Sequence, residues 1–164
     1  MGEESWRIRV IGEASLDIIK HEKLPSRKTL YEVLKLPLDQ AFILLTQHSV
    51  SNEIKDTTRH IQETLAAVKK AGLPVVVIYP HADAGGRKII AAIQKEKHNP
   101  LFRIFPSLEY KLFLALEREV SVWVGNSSGA LVESSSFGIP VINIGTRQNG
   151  RQRGKNVMDV GYDH

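Results

Sequence analysis

The chain has 164 residues, the length of one domain with room for a buried core, and its 42% apolar and 24% charged residues are ordinary for a globular protein. No apolar run approaches the ~20 residues that cross a bilayer, the start Met1-Gly-Glu-Glu lacks the basic-then-apolar layout of a signal peptide, and the absence of cysteine excludes disulfides, thiolate metal sites and cysteine nucleophiles. The net charge is +4, and residues 145–155 alone hold four basic side chains, Arg147, Arg151, Arg153 and Lys155, with no acid among them. The composition predicts a soluble, cytoplasmic protein. The basic cluster predicts attraction for phosphate, on a nucleotide or on nucleic acid; a solvated basic loop is the plain alternative.

In chain order, the first strand-like run is 6–11, and the first helical pattern is 27–36. Residues 1–23 precede any complete strand–helix unit and read as an incoming crossover from a missing N-terminal domain. A strand is predicted at 41–46, with the continuous apolar run Phe42-Ile-Leu-Leu. The clearest helix follows at 52–71, where Ile54, Thr58, Ile61, Leu65 and Val68 recur at alternating spacings of four and three. Ser51 or Asn52 can cap its start, Glu53 suits its first turn, Lys69 and Lys70 its last, and Gly72 and Pro74 end it. Strands at 74–79, 101–105, 120–124, 140–144 and 156–160 then alternate with helices at 84–95, 108–117 and 128–137. No helical pattern follows the last strand, as though C-terminal helices were missing. The alternation predicts an α/β fold with a doubly wound parallel sheet, Rossmann-like, whose functional loops lie at the carboxyl ends of the strands.

Four of those loops carry candidate chemistry. Gly125-Asn-Ser-Ser-Gly-Ala-Leu-Val-Glu133 runs from a strand end through a small-residue turn into a helix, an arrangement that offers backbone N–H groups and the helix dipole to an anion. Ser127 and Ser128 add hydroxyls, and Glu133, about a turn and a half into the helix, stands where it can accept from a ribose diol. Such turns also serve only to cap helices. The next strand empties into the arginine-rich loop at the same sheet edge, so two anion-attracting features converge. Thr46-Gln-His-Ser-Val-Ser-Asn-Glu53 places His48 at a strand end, to hydrogen-bond a phosphate, to act in acid–base chemistry or simply to cap the turn. Tyr79-Pro-His-Ala-Asp-Ala-Gly-Gly-Arg87 brings His81 and Asp83 to that edge. His48, His81 and Asp83 lack metal-ligand spacing, and no metal site is predicted.

Together the segments Thr46-Gln-His-Ser-Val-Ser-Asn-Glu, Tyr79-Pro-His-Ala-Asp-Ala-Gly, Gly125-Asn-Ser-Ser and Phe137-Gly-Ile-Pro-Val-Ile-Asn-Ile-Gly-Thr-Arg-Gln-Asn-Gly-Arg resemble the UDP-N-acetylglucosamine 2-epimerase family, especially its hydrolysing branch, which makes N-acetylmannosamine for sialic acid synthesis. The resemblance spans residues 7–162. It implies a GT-B architecture, two Rossmann-like domains with the nucleotide sugar between them, of which residues 24–164 are the second, UDP-binding domain. It assigns Ser127 and Ser128 to the UDP phosphates, Glu133 to the ribose, the backbone near Leu108 to the uracil, and Arg147 to support of the nucleotide site. His48 becomes the catalytic candidate, beside the diphosphate, with His81, Asp83 and Arg151 on the sugar or phosphate side. The implied reaction eliminates UDP across C1–C2 of the sugar to a glucal; the hydrolysing branch then adds water, and the other branch returns UDP. No metal or organic cofactor is implied.

The sequence departs from the family pattern where Gly129-Ala130 follows the serine pair in place of Ser-Gly, and where Ser49 stands in place of proline. The family's acid–base carboxylates and a phosphate-binding arginine belong to the first domain, so the isolated chain is expected to bind nucleotide and to be inactive. Family members are often dimers or tetramers, which makes a homo-oligomer an open expectation. Two other readings stand beside this one: half of another GT-B enzyme such as a UDP-sugar glycosyltransferase, or a stand-alone nucleotide- or RNA-binding module. Few aromatics interleave with the arginines to stack bases, which counts against nucleic acid.

Overall fold

Six short runs, each of four residues, become parallel strands in a computed structural model that describes residues 2–163. They are β1 (Ile43–Thr46), β2 (Val75–Ile78), β3 (Phe102–Phe105), β4 (Val122–Gly125), β5 (Val141–Ile144) and β6 (Val157–Val160). The sheet order is β3-β2-β1-β4-β5-β6, so the chain winds outward from β1 in one direction and from β4 in the other. The crevice between the carboxyl ends of β1 and β4 is therefore the topological switch point, where doubly wound sheets bind ligands. The register pairs Thr46 with Gly125 at the mouth of that crevice.

Helices cover both faces. On one side α2 (Arg27–Leu34), α5 (Tyr110–Glu119) and α6 (Ser128–Val132) bury Leu30, Leu34, Leu116 and Leu131 against Phe42, Leu44, Val76, Trp123 and Val141. On the other, α3 (Thr57–Lys70) and α4 (Gly86–Gln94) bury Ile61, Leu65, Ile89 and Ile93 against Ile43, Leu45, Val75 and Val77. Alternate residues of β1 and β2 thus enter opposite cores, as the pleat requires. A small α1 (Ala14–His21), with Glu13 accepting from the Ser15 N–H at its start, lies within the stretch expected to be a crossover. Short α7 (Ser134–Phe137) follows α6 and ends at Gly138 in the left-handed region.

The structure corrects the sequence reading at four places. Residues 6–11 are not a strand: Ser5–Arg7 form a 3-10 turn, and Val10 and Ile11 are 97% and 87% exposed. β-branched composition alone does not make a strand when no sheet edge receives its backbone. Helix α3 starts at Thr57, after a 3-10 turn at Ser51–Glu53, and Asp56 stands at its N-cap position in place of Ser51 or Asn52. Its inner face includes Thr57, His60 and Thr64, while Thr58 is exposed. Finally, the helix expected over 128–137 is divided at Glu133, where the Ser134 hydroxyl donates back to the Ala130 carbonyl, a bond that tends to bend helices, and accepts from Asn156 Nδ2 at 2.8 Å.

Candidate functional site

The loops after β1, β4 and β5 are joined through Asn126, which is 1% exposed. Its Oδ1 accepts from the His48 N–H at 2.7 Å, and its Nδ2 donates to the His48 carbonyl at 2.9 Å. Its own carbonyl accepts from Arg147 Nη1 at 3.0 Å and from Gln148 Nε2 at 2.7 Å. Gly125 makes this possible: its φ is +137°, and a β-carbon there would sit 1.9 Å from the Thr46 carbonyl oxygen. Below, Trp123 Nε1 donates to Thr46 Oγ1 at 2.6 Å and fixes the end of β1 against β4. His48, Arg147 and the Ser127–Ser128 turn consequently belong to one hydrogen-bonded unit. Asn126 was visible in the Gly125-Asn-Ser-Ser motif, yet its clamp on a segment 78 residues away is a tertiary fact.

His48 is 7% exposed and its ring stacks on His81, centroids 4.8 Å apart. The His81 N–H donates to Nδ1 of His48 at 3.3 Å, which leaves the proton on Nε2. Burial, with Arg147 and His81 nearby, pushes the His48 imidazole down to about 4, against a smaller opposing pull from Asp83. At neutral pH it is an uncharged N–H donor. Burial also lowers Arg147, partly offset by Asp83. Arg147, Asp83, Ser49 and Thr146 line a polar cleft of about 510 Å³. His81 and Asp83 line an adjoining one beside the start of α4. Among the described residues, no group of three histidine or acidic side chains is placed to hold a metal ion.

On the other side of the serine turn, Ser127, Ser128, Gly129, Glu133, Arg151, Phe113, Glu13 and Ser15 line a pocket of about 300 Å³. The first N–H groups of α6 have no intrahelical acceptor, and its first two residues, Ser128 and Gly129, line this pocket. Gly129 is packed against the Glu133 carboxylate: a β-carbon at 129 would lie 2.7 Å from Oε2. Ala130, one residue on, is buried in the core, so the altered order of small residues still leaves a glycine facing the pocket. Leu108 is half-buried against the core ahead of α5 and lies outside this lining, whereas Phe113 of α5 reaches it and contacts Trp123 edge-to-face. No local pattern marks Phe113, Glu13 and Ser15 as neighbours here, because the approach of α1 and α5 to α6 is set by packing.

The basic cluster divides by role. Arg147 is half-buried in the site, and Arg151 is exposed beside Glu133. Arg153 serves the fold: it ion-pairs with Asp159 of β6 and donates to the Gln148 carbonyl at 2.8 Å. Farther along the same edge, Glu53 accepts from the hydroxyls of Thr146 and Tyr162, which holds its carboxyl below the usual range.

Fold and site define a class: a Rossmann-like domain with a serine turn, arginines and a carboxylate at the switch point of its sheet. A family model described as UDP-N-acetylglucosamine 2-epimerase matches residues 1–164, and the chain belongs to that family. The UDP-N-acetylglucosamine 2-epimerase of Neisseria meningitidis serogroup B is 31% identical over 163 residues, covering 99% of this chain and 43% of that protein. The hydrolysing UDP-N,N'-diacetylbacillosamine 2-epimerase of Legionella pneumophila is 32% identical over 160 residues, covering 98% and 42%. The chain spans roughly two fifths of the length of these relatives. Among solved structures, Methanocaldococcus jannaschii UDP-GlcNAc 2-epimerase in complex with UDP-GlcNAc and UDP superposes with a TM-score of 0.72 at 20% identity, over 99% of this chain and 46% of that one. An Escherichia coli heptosyltransferase with ADP gives 0.56 at 12% identity, over 87% and 45%. Both likenesses are of fold, the Rossmann-like half of a GT-B enzyme.

Proposed function

We propose that this chain is the UDP-binding, C-terminal half of a UDP-N-acetylglucosamine 2-epimerase, of the hydrolysing kind. The observation that carries the reading is the pocket in which Ser127, Ser128 and the start of α6 stand beside Glu133, with Arg151 in its lining and Arg147 tied to the same loop through the Asn126 carbonyl. Phosphate oxygens accept from the serine turn, Glu133 accepts from the ribose hydroxyls, and the base lies toward α5 and the backbone near Leu108. Neutral His48 donates from Nε2 to the diphosphate, where a hydrogen bond strengthens as the UDP leaving group gains charge. His81, Asp83 and Arg151 face the sugar or phosphate side. Residues 1–23 then bring the chain across from the other half, and residues 24–164 carry the nucleotide site.

Elimination of UDP to the glucal requires a base at C2, which the proposal assigns to the other half of the protein; addition of water then releases an N-acetylmannosamine-type sugar and UDP. His48 does not suit that role, being buried, uncharged and a poor proton acceptor at neutral pH. The proposal needs no metal or organic cofactor, and it places the enzyme in the cytoplasm as a candidate homo-oligomer. No helix among the described residues is long and apolar enough to cross a membrane.

Calorimetric titration tests the reading. UDP is expected to bind weakly and saturably, UMP more weakly, and Glu133→Ala to lower UDP affinity about tenfold, the order of a charged hydrogen bond. Absence of UDP binding at millimolar ligand overturns the site. Preference for ADP over UDP points instead to a heptosyltransferase-like half, and short RNA that outcompetes UDP points to a nucleic-acid module. Release of UDP from UDP-N-acetylglucosamine by this chain alone would overturn the need for a second half.

A further inference from the structure

Glu117, on the inner face of α5, is 0% exposed, and neither of its carboxyl oxygens meets a hydrogen-bond donor. An isolated buried carboxylate is among the most costly groups a core can hold. No lysine, arginine or histidine among the described residues forms an ion pair with it; the neighbouring α5 charges are engaged elsewhere, Arg118 with Glu119 and the Pro25 carbonyl, and Glu119 with Arg27. The charge it does face is the carboxyl of Glu133: Phe113, one turn earlier on the same face of α5, lines the pocket together with Glu133. Two carboxylates can only accept, so their contact requires that one carry a proton. The enclosed member of the pair is Glu117; Glu133 opens into the pocket beside Ser127, Ser128 and Arg151.

We propose that Glu117 is a positioning residue of the nucleotide site, a neutral carboxylic acid that donates a hydrogen bond to Glu133 and holds that carboxylate toward the ribose diol. This rests on the reading that the pocket holds a ribonucleotide, and it adds a group that Glu133 alone does not supply. Gly129 packs against one flank of Glu133. A carboxylate has four acceptor positions, so a bond from Glu117 on its inner side leaves the outer lone pairs for two ribose hydroxyls. Burial, reinforced by the Glu133 charge, raises Glu117 to about 10. Among the described residues, the other titratable groups at the pair include Tyr110 of α5, raised by burial and by Glu133, Glu117 and Glu13, then Glu13 itself ahead of α1, and Arg151. Of the elements packed on α5, α7 brings no charge, and α2 brings Arg27, paired to Asp39 and Glu119, with Lys28 and Glu32 exposed.

Two measurements on the chain test this. Infrared spectra of the unliganded protein at pH 7 are expected to show the C=O stretch of a neutral carboxylic acid, lost in Glu117→Gln. In calorimetry, Glu117→Gln, whose amide still donates, is expected to bind UDP within about twofold of wild type. Glu117→Met, with no donor, is expected to bind about fivefold more weakly, the order of one lost hydrogen bond. That loss should vanish with 2′,3′-dideoxy-UDP, which has no diol for Glu133 to hold. The proposal is overturned by absence of the acid band, by wild-type affinity in Glu117→Met, or by an equal loss on both ligands, which would mark a packing effect. A wild-type chain that shows the band and binds no UDP would instead bring down the nucleotide reading, and the ribose role with it.

Discussion

At Asn126 one side chain satisfies both backbone groups of His48 while its carbonyl anchors Arg147 and Gln148. Truncation to alanine leaves the His48 N–H and C=O enclosed without partners, and each orphan costs about 1–3 kcal/mol. Asn126→Ala is expected to lower the urea midpoint by an amount equivalent to ~2–4 kcal/mol, and Asn126→Asp, which keeps only the acceptor, to fall between. Both variants should weaken UDP binding, because His48 and the serine turn lose their common tie. Asn126 stood in a motif recognised for its serines, but the sequence could not show which segment its amide would reach. Glu117 was hidden for a related reason. A glutamate near the end of an amphipathic helix reads as solvated, and its burial is a result of how α5 packs in the fold.

At the scale of elements, all six strands were legible, because continuous runs such as Phe42-Ile-Leu-Leu and Val75-Val-Val-Ile fit a sheet covered on both faces. Their order was not legible: alternation with helices and right-handed crossovers fit a doubly wound sheet but leave open which strands lie at its centre. The run at 6–11 has similar composition and failed, since strand formation depends on a partner edge that a local pattern does not contain. Helix α3 was legible, but its inner face differs by one residue: apolar spacing points to Thr58, whereas the helix buries Thr57 and His60, a polar pair that an apolar pattern does not reveal. The β4–α6 connection admits less tolerance than either. Gly125 approaches the Thr46 carbonyl with no space for a β-carbon, in a backbone conformation that other residues rarely adopt. Gly125→Ala is expected to cost at least ~3 kcal/mol, seen as a lower melting temperature or loss of folded protein, whereas Gly138→Ala, in open space at a helix end, should cost only about 1 kcal/mol.

For the molecule as a whole, the two most perturbed buried groups act on stability in opposite directions. His48 is depressed to about 4 from a usual 6.5, so between those values the unfolded chain binds the extra proton, and stability falls as pH drops from 6.5 toward 4. The integrated effect is at most about 3 kcal/mol, since each pH unit corresponds to 1.36 kcal/mol. Glu117 is raised to about 10 from 4.5, so between those values the folded chain holds the extra proton, and stability falls as pH rises through that window. The slopes oppose one another between pH 4.5 and 6.5. Above 6.5 only the Glu117 slope remains, and urea midpoints are expected to decline steadily from pH 7 to pH 9. Glu117→Gln should flatten that decline and raise the midpoint at pH 9 more than at pH 7, while His48→Gln should leave the alkaline limb unchanged and shallow the acid one. A wild-type midpoint that does not fall between pH 7 and 9 would mean that Glu117 does not hold its proton, and the site would then contain two charged carboxylates that the fold gives no means of separating.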